Sequence, residues 1–189
     1  MSQPNSTDQI EKKLGERLSL PQLTIAPSEF AFKAPQHFIN QIETKAPNDP
    51  LLAQILPLAA ENTLIDDYLT DPVGDLHKSP LPSLIHKYQG RVLLIASPKC
   101  DIHCRYCFRR HFPYESHSNQ RLWQQALDAI EQDTSIHEVI LSGGDPMSLS
   151  EKVLLDLSQK LPPSNTSPHY EFIAEPQWFR HKRLHKKHG

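Results

Sequence analysis

The chain has 189 residues, 38% of them hydrophobic and 22% charged, with a formal net charge of −2. That suffices for one modest core, and the mixed charge excludes nucleic acid or an anionic membrane surface as the main partner. No apolar run approaches the length of a membrane span, and the polar opening MSQPNSTDQIEKK has no apolar signal-peptide core, so the expected location is the cytoplasm.

In chain order, Gln9 to Leu18 is predicted as a short helix with Ile10, Leu14 and Leu18 on one face, bounded by Pro21 and Pro27. A second helix follows Pro35 with Phe38, Ile39 and Ile42, and a third follows Asp49-Pro50, where Asp49 caps and proline suits the first turn. These form a helical N-terminal region, residues 1–78, whose apolar stripe reads as core packing or subunit contact. Turn residues between Asp66 and Pro82 mark its end. Arg91 to Ala96 fits a strand buried on both faces. Asn119 then caps a helix to Asp133, with Leu122, Trp123, Ala126, Leu127 and Ile130 on one face. Glu138 to Leu141 is a second strand, running into Ser142-Gly143-Gly144-Asp145-Pro146, and a helix over Glu151 to Lys160 turns Val153, Leu154 and Leu157 inward. Strand, loop and helix twice over give an α/β fold, the first β/α units of a partial barrel, over residues 79–161. Loops after such strands open on one face, so the loop after Ala96 and the Gly-Gly-Asp loop should meet.

All three cysteines lie in the first of these loops, Cys100, Cys104 and Cys107, spaced C-x3-C-x2-C. Three thiols cannot pair completely as disulfides, and they can converge on one metal centre in a reducing compartment. A [4Fe–4S] cluster on three cysteines leaves one iron open to a non-protein ligand. A structural zinc wants a fourth ligand, His103 or His111, each awkwardly close in sequence. Burial as plain apolar residues fits poorly with Lys99, Asp101, His103, Arg105, Arg109 and Arg110 around them. Ser142 to Pro146 taken alone is also an ordinary strand-ending turn. His103, His111 and His117 are assigned no role, since histidines scattered near a surface loop are mostly solvated.

The run C-D-I-H-C-R-Y-C resembles the cluster loop of the radical S-adenosylmethionine (SAM) enzymes. With L-I-H-K-Y-Q-G-R-V-L-L before it and C-F-R-R after it, the chain resembles the lysine 2,3-aminomutases, and within them the branch that serves β-lysylation of elongation factor P, from about Asp49 to Leu161 and more weakly upstream. The resemblance implies a barrel of radical SAM type and conversion of L-α-lysine to β-lysine. It implies a [4Fe–4S] cluster and SAM yielding a 5′-deoxyadenosyl radical, and pyridoxal phosphate (PLP) carrying the migrating nitrogen. By the same resemblance, Tyr106 lies against the adenine, while Gly143, Gly144 and Asp145 approach SAM and meet its amino group. Arg109 grips the substrate carboxylate, a role that suits a forked guanidinium, and Tyr88 and Arg91 hold the PLP phosphate. For Tyr88, packing where the strand begins is an equal reading, and for Arg109 the alternative is a surface arginine balancing nearby acids. A flavodoxin or ferredoxin as electron donor, and an oligomer, would be in keeping. A radical SAM reaction without PLP and a Cys3His zinc module remain the alternatives.

After Leu161 the sequence PPSNTSPHYEFIAEPQWFRHKRLHKKHG has no family likeness, and none of Lys182, Lys186 and Lys187 matches the Schiff-base lysine. Residues 162–189 read as an irregular tail. The expectation is a truncated form, inactive by itself, whose uncovered strand edges and helix faces the rest of a barrel would bury.

Overall fold

The computed structural model describes residue 14, residues 29–43, residue 46 and residues 48–161. The expected helix at Gln9 to Leu18 lies outside these apart from Leu14, which is helical and buried, and the tail 162–189 lies outside them entirely. The chain divides into two compact units, one made of Met1–Gly74 with Asp101–Phe112, the other of Asp75–Cys100 with Pro113–Gly189.

In the first unit, helix α1 (Gln36–Ile39) follows Pro35, and helix α2 (Pro50–Ile55) starts where proline's missing N–H costs nothing. Asp49 caps α2 as expected: its Oδ1 accepts from the Leu51 and Leu52 amides, both at 2.8 Å, and its Oδ2 accepts from the Glu43 amide at 2.8 Å. A 3-10 turn, Ala59–Asn62, follows. Phe32, Phe38, Ile39, Ile42, Leu52 and Ile55 form the core, and Ile102 and Cys104 join it from the cysteine loop. Each such side chain contributes roughly 1.5–3 kcal/mol when fully buried.

The second unit is a three-stranded sheet in the order β1 (Leu84–Tyr88), β2 (Arg91–Ser97), β3 (Glu138–Gly143). β2 and β3 are parallel, with Val92 opposite Val139 and Leu94 opposite Leu141. β1 is antiparallel to β2 and was not expected from the sequence: Leu-Ile-His-Lys-Tyr alternates poorly, and two prolines precede it. The turn between them works because Gly90 takes φ +74°, and its carbonyl accepts from the His137 and Glu138 amides, which registers β3 beside β2. A short helix α3 (Tyr114–His117) leads to α4 (Gln120–Gln132), and α5 (Glu151–Lys160) follows β3. Both longer helices fall where periodicity and the Asn119 cap put them, and the Ser150 hydroxyl caps the second by accepting from the Val153 amide.

Side chains alternate along a strand, so Val92, Leu94 and Ala96 of β2 share a face with Val139 and Leu141 of β3. That face packs with Trp123, Ala126, Leu127 and Ile130 of α4 and with Leu154 and Leu157 of α5. Ile85, Ile95 and Ile140 on the opposite face are buried as well, in keeping with a strand covered on both sides. Among the described residues no helix is long and apolar enough to cross a membrane.

Candidate metal centre

The loop with the thiols leaves β2 at Ser97-Pro98-Lys99-Cys100, and the Gly-Gly-Asp loop leaves β3 alongside it. The Gly144 amide donates to the Ser97 carbonyl and the Asp145 amide to the Lys99 carbonyl, each at 2.6 Å. The two loops meet after adjacent parallel strands, as topology required. The glycines serve this approach: a Cβ at Gly143 would stand 2.4 Å from the Ser97 oxygen, and one at Gly144 would stand 2.4 Å from the Lys99 oxygen. Gly143 also holds φ +122°, a conformation other residues rarely take. The Asp145 side chain, nearly buried, accepts from the Met147 amide at 2.9 Å and so caps the 3-10 turn Pro146–Ser148. Two further ties were not read from the sequence. The Tyr114 hydroxyl donates to the Gly143 carbonyl at 2.7 Å, and the Ser148 hydroxyl lies 2.8 Å from that of Ser97, which is wholly buried.

Residues 101–112 belong to the first unit, and both backbone and side-chain bonds hold them there. The His103 amide donates to the Lys33 carbonyl at 2.9 Å. The His103 ring stacks on Phe30 with centroids 4.7 Å apart, and Nδ1 lies 2.7 Å from the Ala31 carbonyl, so that nitrogen carries the proton. Burial holds the imidazole below its usual range despite that hydrogen bond, so the ring is neutral at pH 7. The Arg105 amide donates to the Gln54 carbonyl at 2.8 Å, and its guanidinium reaches the Phe30 carbonyl at 2.9 Å and both oxygens of Glu61, Nε to Oε1 at 2.8 Å. Arg110 reaches Glu61 Oε2 at 2.8 Å. Both guanidinium carbons stand 5.2 Å from the centroid of the Phe30 ring. Burial alone would raise the Glu61 carboxyl, but hydrogen bonds from Arg105 and Arg110 outweigh it and hold it below the usual carboxylate range.

None of the three cysteines is in a disulfide, and Cys104 is buried while the other two are partly exposed. Cys104 and Cys107 share one turn, the Cys107 amide donating to the Cys104 carbonyl at 3.0 Å. Burial pushes the Cys104 thiol up, a hydrogen bond from the Tyr106 side chain opposes this, and Cys107 adds to the rise. Cys100 closes a segment of the second unit, so the set is divided between the units along the chain. Among the described residues no three His, Cys, Asp or Glu side chains are already gathered as a metal-holding group. By donor chemistry, three cysteines outside any disulfide within eight residues suit a thiolate-bound iron–sulfur cluster. His103, one of the two histidines considered above as a fourth zinc ligand, stacks on Phe30 and holds the Ala31 carbonyl through Nδ1.

Tyr106 is exposed, and Arg109 is half-buried with its guanidinium 4.8 Å from the Phe108 ring centroid. Tyr88 and Arg91 flank the hairpin turn, at the start of β2 rather than at its cysteine end. Ser97 lies six steps along the strand from Arg91, roughly 20 Å. The Arg91 guanidinium pairs there with Glu138, its neighbour across the strands. Sequence reasoning missed Phe30, Glu61 and Arg105 as a set, because the contacts span 44 residues or more.

Residues 89–170 match a family model described as a 4Fe-4S single cluster domain. The L-lysine 2,3-aminomutase of Haemophilus influenzae is 40% identical over 156 residues, which is 79% of this chain and 46% of that protein. That of Escherichia coli is 43% identical over 126 residues, 66% of this chain and 36% of that protein, and that of Clostridium subterminale is 33% identical over 139 residues, 72% and 33%. Over these matched stretches the chain is similar to the lysine 2,3-aminomutases. It spans less than half the length of these relatives. The matched cluster domain runs past Leu161, where no family likeness was expected, to residue 170. The domain takes in all three cysteines and the Gly-Gly-Asp loop but not Phe30 or Glu61, so the cysteine loop of this chain rests on residues outside the matched segment.

Proposed function

We propose that this chain carries the cluster-binding part of a radical SAM, PLP-dependent isomerase that converts L-α-lysine to β-lysine in the cytoplasm, for modification of elongation factor P. The observation that carries the reading is the trio of cysteines, none in a disulfide, inside a matched 4Fe-4S domain and in a loop bonded through Lys99 to the Gly-Gly-Asp loop. Cys100, Cys104 and Cys107 would hold the cluster. Bound SAM and PLP would supply, respectively, a radical able to remove hydrogen from lysine and a carrier for the migrating nitrogen.

The chain's own residues do the positioning. Gly143 and Gly144 present a loop without side chains, and Asp145, its carboxylate already turned to the Met147 amide, keeps that loop closed. Tyr106 would lie along the adenine. Arg109 would pair with the substrate carboxylate, for which a forked, permanently charged group is suited. Tyr88 and Arg91 would take the PLP phosphate, Arg91 exchanging its Glu138 partner for it. The parallel β2 and β3 would begin a partial β/α barrel, an oligomer would complete the quaternary arrangement, and a flavodoxin or ferredoxin would deliver the electron. Anaerobic reconstitution with iron and sulfide, followed by iron counting and electron paramagnetic resonance with and without SAM, tests this. Four irons per chain and a SAM-shifted signal are expected; zinc, or no metal in a folded chain, would overturn it.

A further inference from the structure

The C-x3-C-x2-C loop is flanked by two arginines that share one acid. Arg105 follows Cys104 directly, and the Arg110 amide donates to the Cys107 carbonyl at 3.3 Å, so each guanidinium hangs from the same turns as a thiol. Arg105 reaches both Glu61 oxygens, Arg110 reaches Oε2, and both lie over the Phe30 ring. The Glu61 and Arg105 side chains are only 15% and 7% exposed, so water screens these charges weakly. Two cations and one anion leave a balance near a single positive charge. Two guanidiniums without their acid would favour a more negative centre on the thiols, because a cluster's potential follows the net charge and hydrogen bonding around it.

We propose that Glu61 is a positioning and charge-balancing residue for the cluster loop, holding Arg105 and Arg110 and offsetting their charge so that a cluster on Cys104 and Cys107 keeps a low reduction potential. The inference rests on the iron–sulfur reading above. It deepens that reading by adding a residue of the N-terminal unit, outside the matched domain, to the control of the redox centre. The couple concerned is one electron, supplied by dithionite in the test, with no proton and no bond made or broken.

The experiment is a dithionite redox titration of the reconstituted chain, read by electron paramagnetic resonance, on the parent and on Glu61→Gln, which keeps the shape and one acceptor oxygen but removes the charge. Expected are an unchanged iron count and an upward shift of midpoint potential, with Glu61→Asp returning the potential toward the parent. An unshifted potential at full iron loading overturns the proposal. Should Glu61→Gln not load, Arg110→Gln reads the same balance from the other side, since it leaves the Arg105–Glu61 pair intact. A lower potential there supports the proposal, and an unchanged one overturns it. Loss of iron or of fold in both variants would make the cluster of charges a folding element, and the proposal would fall. If the parent itself takes up no cluster, it is the iron–sulfur reading that fails.

Discussion

Residues 101–112 are anchored by the His103 and Arg105 amides and, beyond these, by side chains, through the Arg105–Glu61–Arg110 cluster and the His103–Phe30 stack, whereas residues 143–145 are anchored chiefly by backbone, through amides donated to the Ser97 and Lys99 carbonyls. A backbone lock has tight tolerances, because nothing larger than hydrogen fits between two main chains at this separation. A side-chain clamp is adjustable: partners can be exchanged, and charge is part of its effect. One loop is thus set by steric exclusion and the other by electrostatics, and substitutions should separate the two.

The largest effect is expected at the backbone lock. Gly144→Ala puts a methyl 2.4 Å from the Lys99 oxygen, and neither strand end can give way without losing the amide bonds that join them. Urea unfolding should show a loss of about 2–3 kcal/mol, the range typical of overpacking. A loss below about 0.5 kcal/mol would mean the loops part easily. Next comes Arg105→Met, which keeps the stem but surrenders the ties to Glu61 and the Phe30 carbonyl, with Arg110 still neutralising the acid. The expected cost is about 2 kcal/mol by the same assay. A cost equal to that of Gly144→Ala would erase the contrast between clamp and lock.

Tyr114→Phe deletes a single hydroxyl from a backbone carbonyl, at a cost of about 1 kcal/mol. Stability unaltered by it would assign Gly143 wholly to packing. The smallest effect is the acid response of the clamp. Glu61 is held below its ordinary 4.5 in the folded chain, so its contribution is complete above that value and is lost as the pH falls through the folded pKa. Circular dichroism between about pH 6 and pH 3 should show a steeper acid loss for the parent than for Glu61→Gln. Equal slopes would place the acid sensitivity elsewhere.

The α4 and α5 spans, the Asn119 and Asp49 caps and the β2–β3 pair were legible because each depends on neighbours within a few residues: apolar period, capping oxygen, proline at a first turn. The meeting of the cysteine and glycine loops was legible for a different reason, since parallel strands open their loops on one side whatever the residues are. β1 was hidden because its pattern is weak and its partner, β2, supplies the order it lacks. The role of Gly143 and Gly144 read only in part: glycine signalled close approach, but not that the approaching atoms would be the oxygens of Ser97 and Lys99.

By itself, then, the sequence determined the chemistry on offer, three thiols at cluster spacing after a buried strand, and the α/β order around them, because spacing and period are properties of the chain. Tertiary structure alone decided what holds that chemistry in place. Glu61 meets Arg105 across 44 residues, Arg105 reaches the Phe30 carbonyl across 75, and residues 101–112 join the N-terminal unit instead of staying with the strand they leave. Such pairings follow from the folding of distant segments onto one another, and no local pattern of charge or hydrophobicity encodes them.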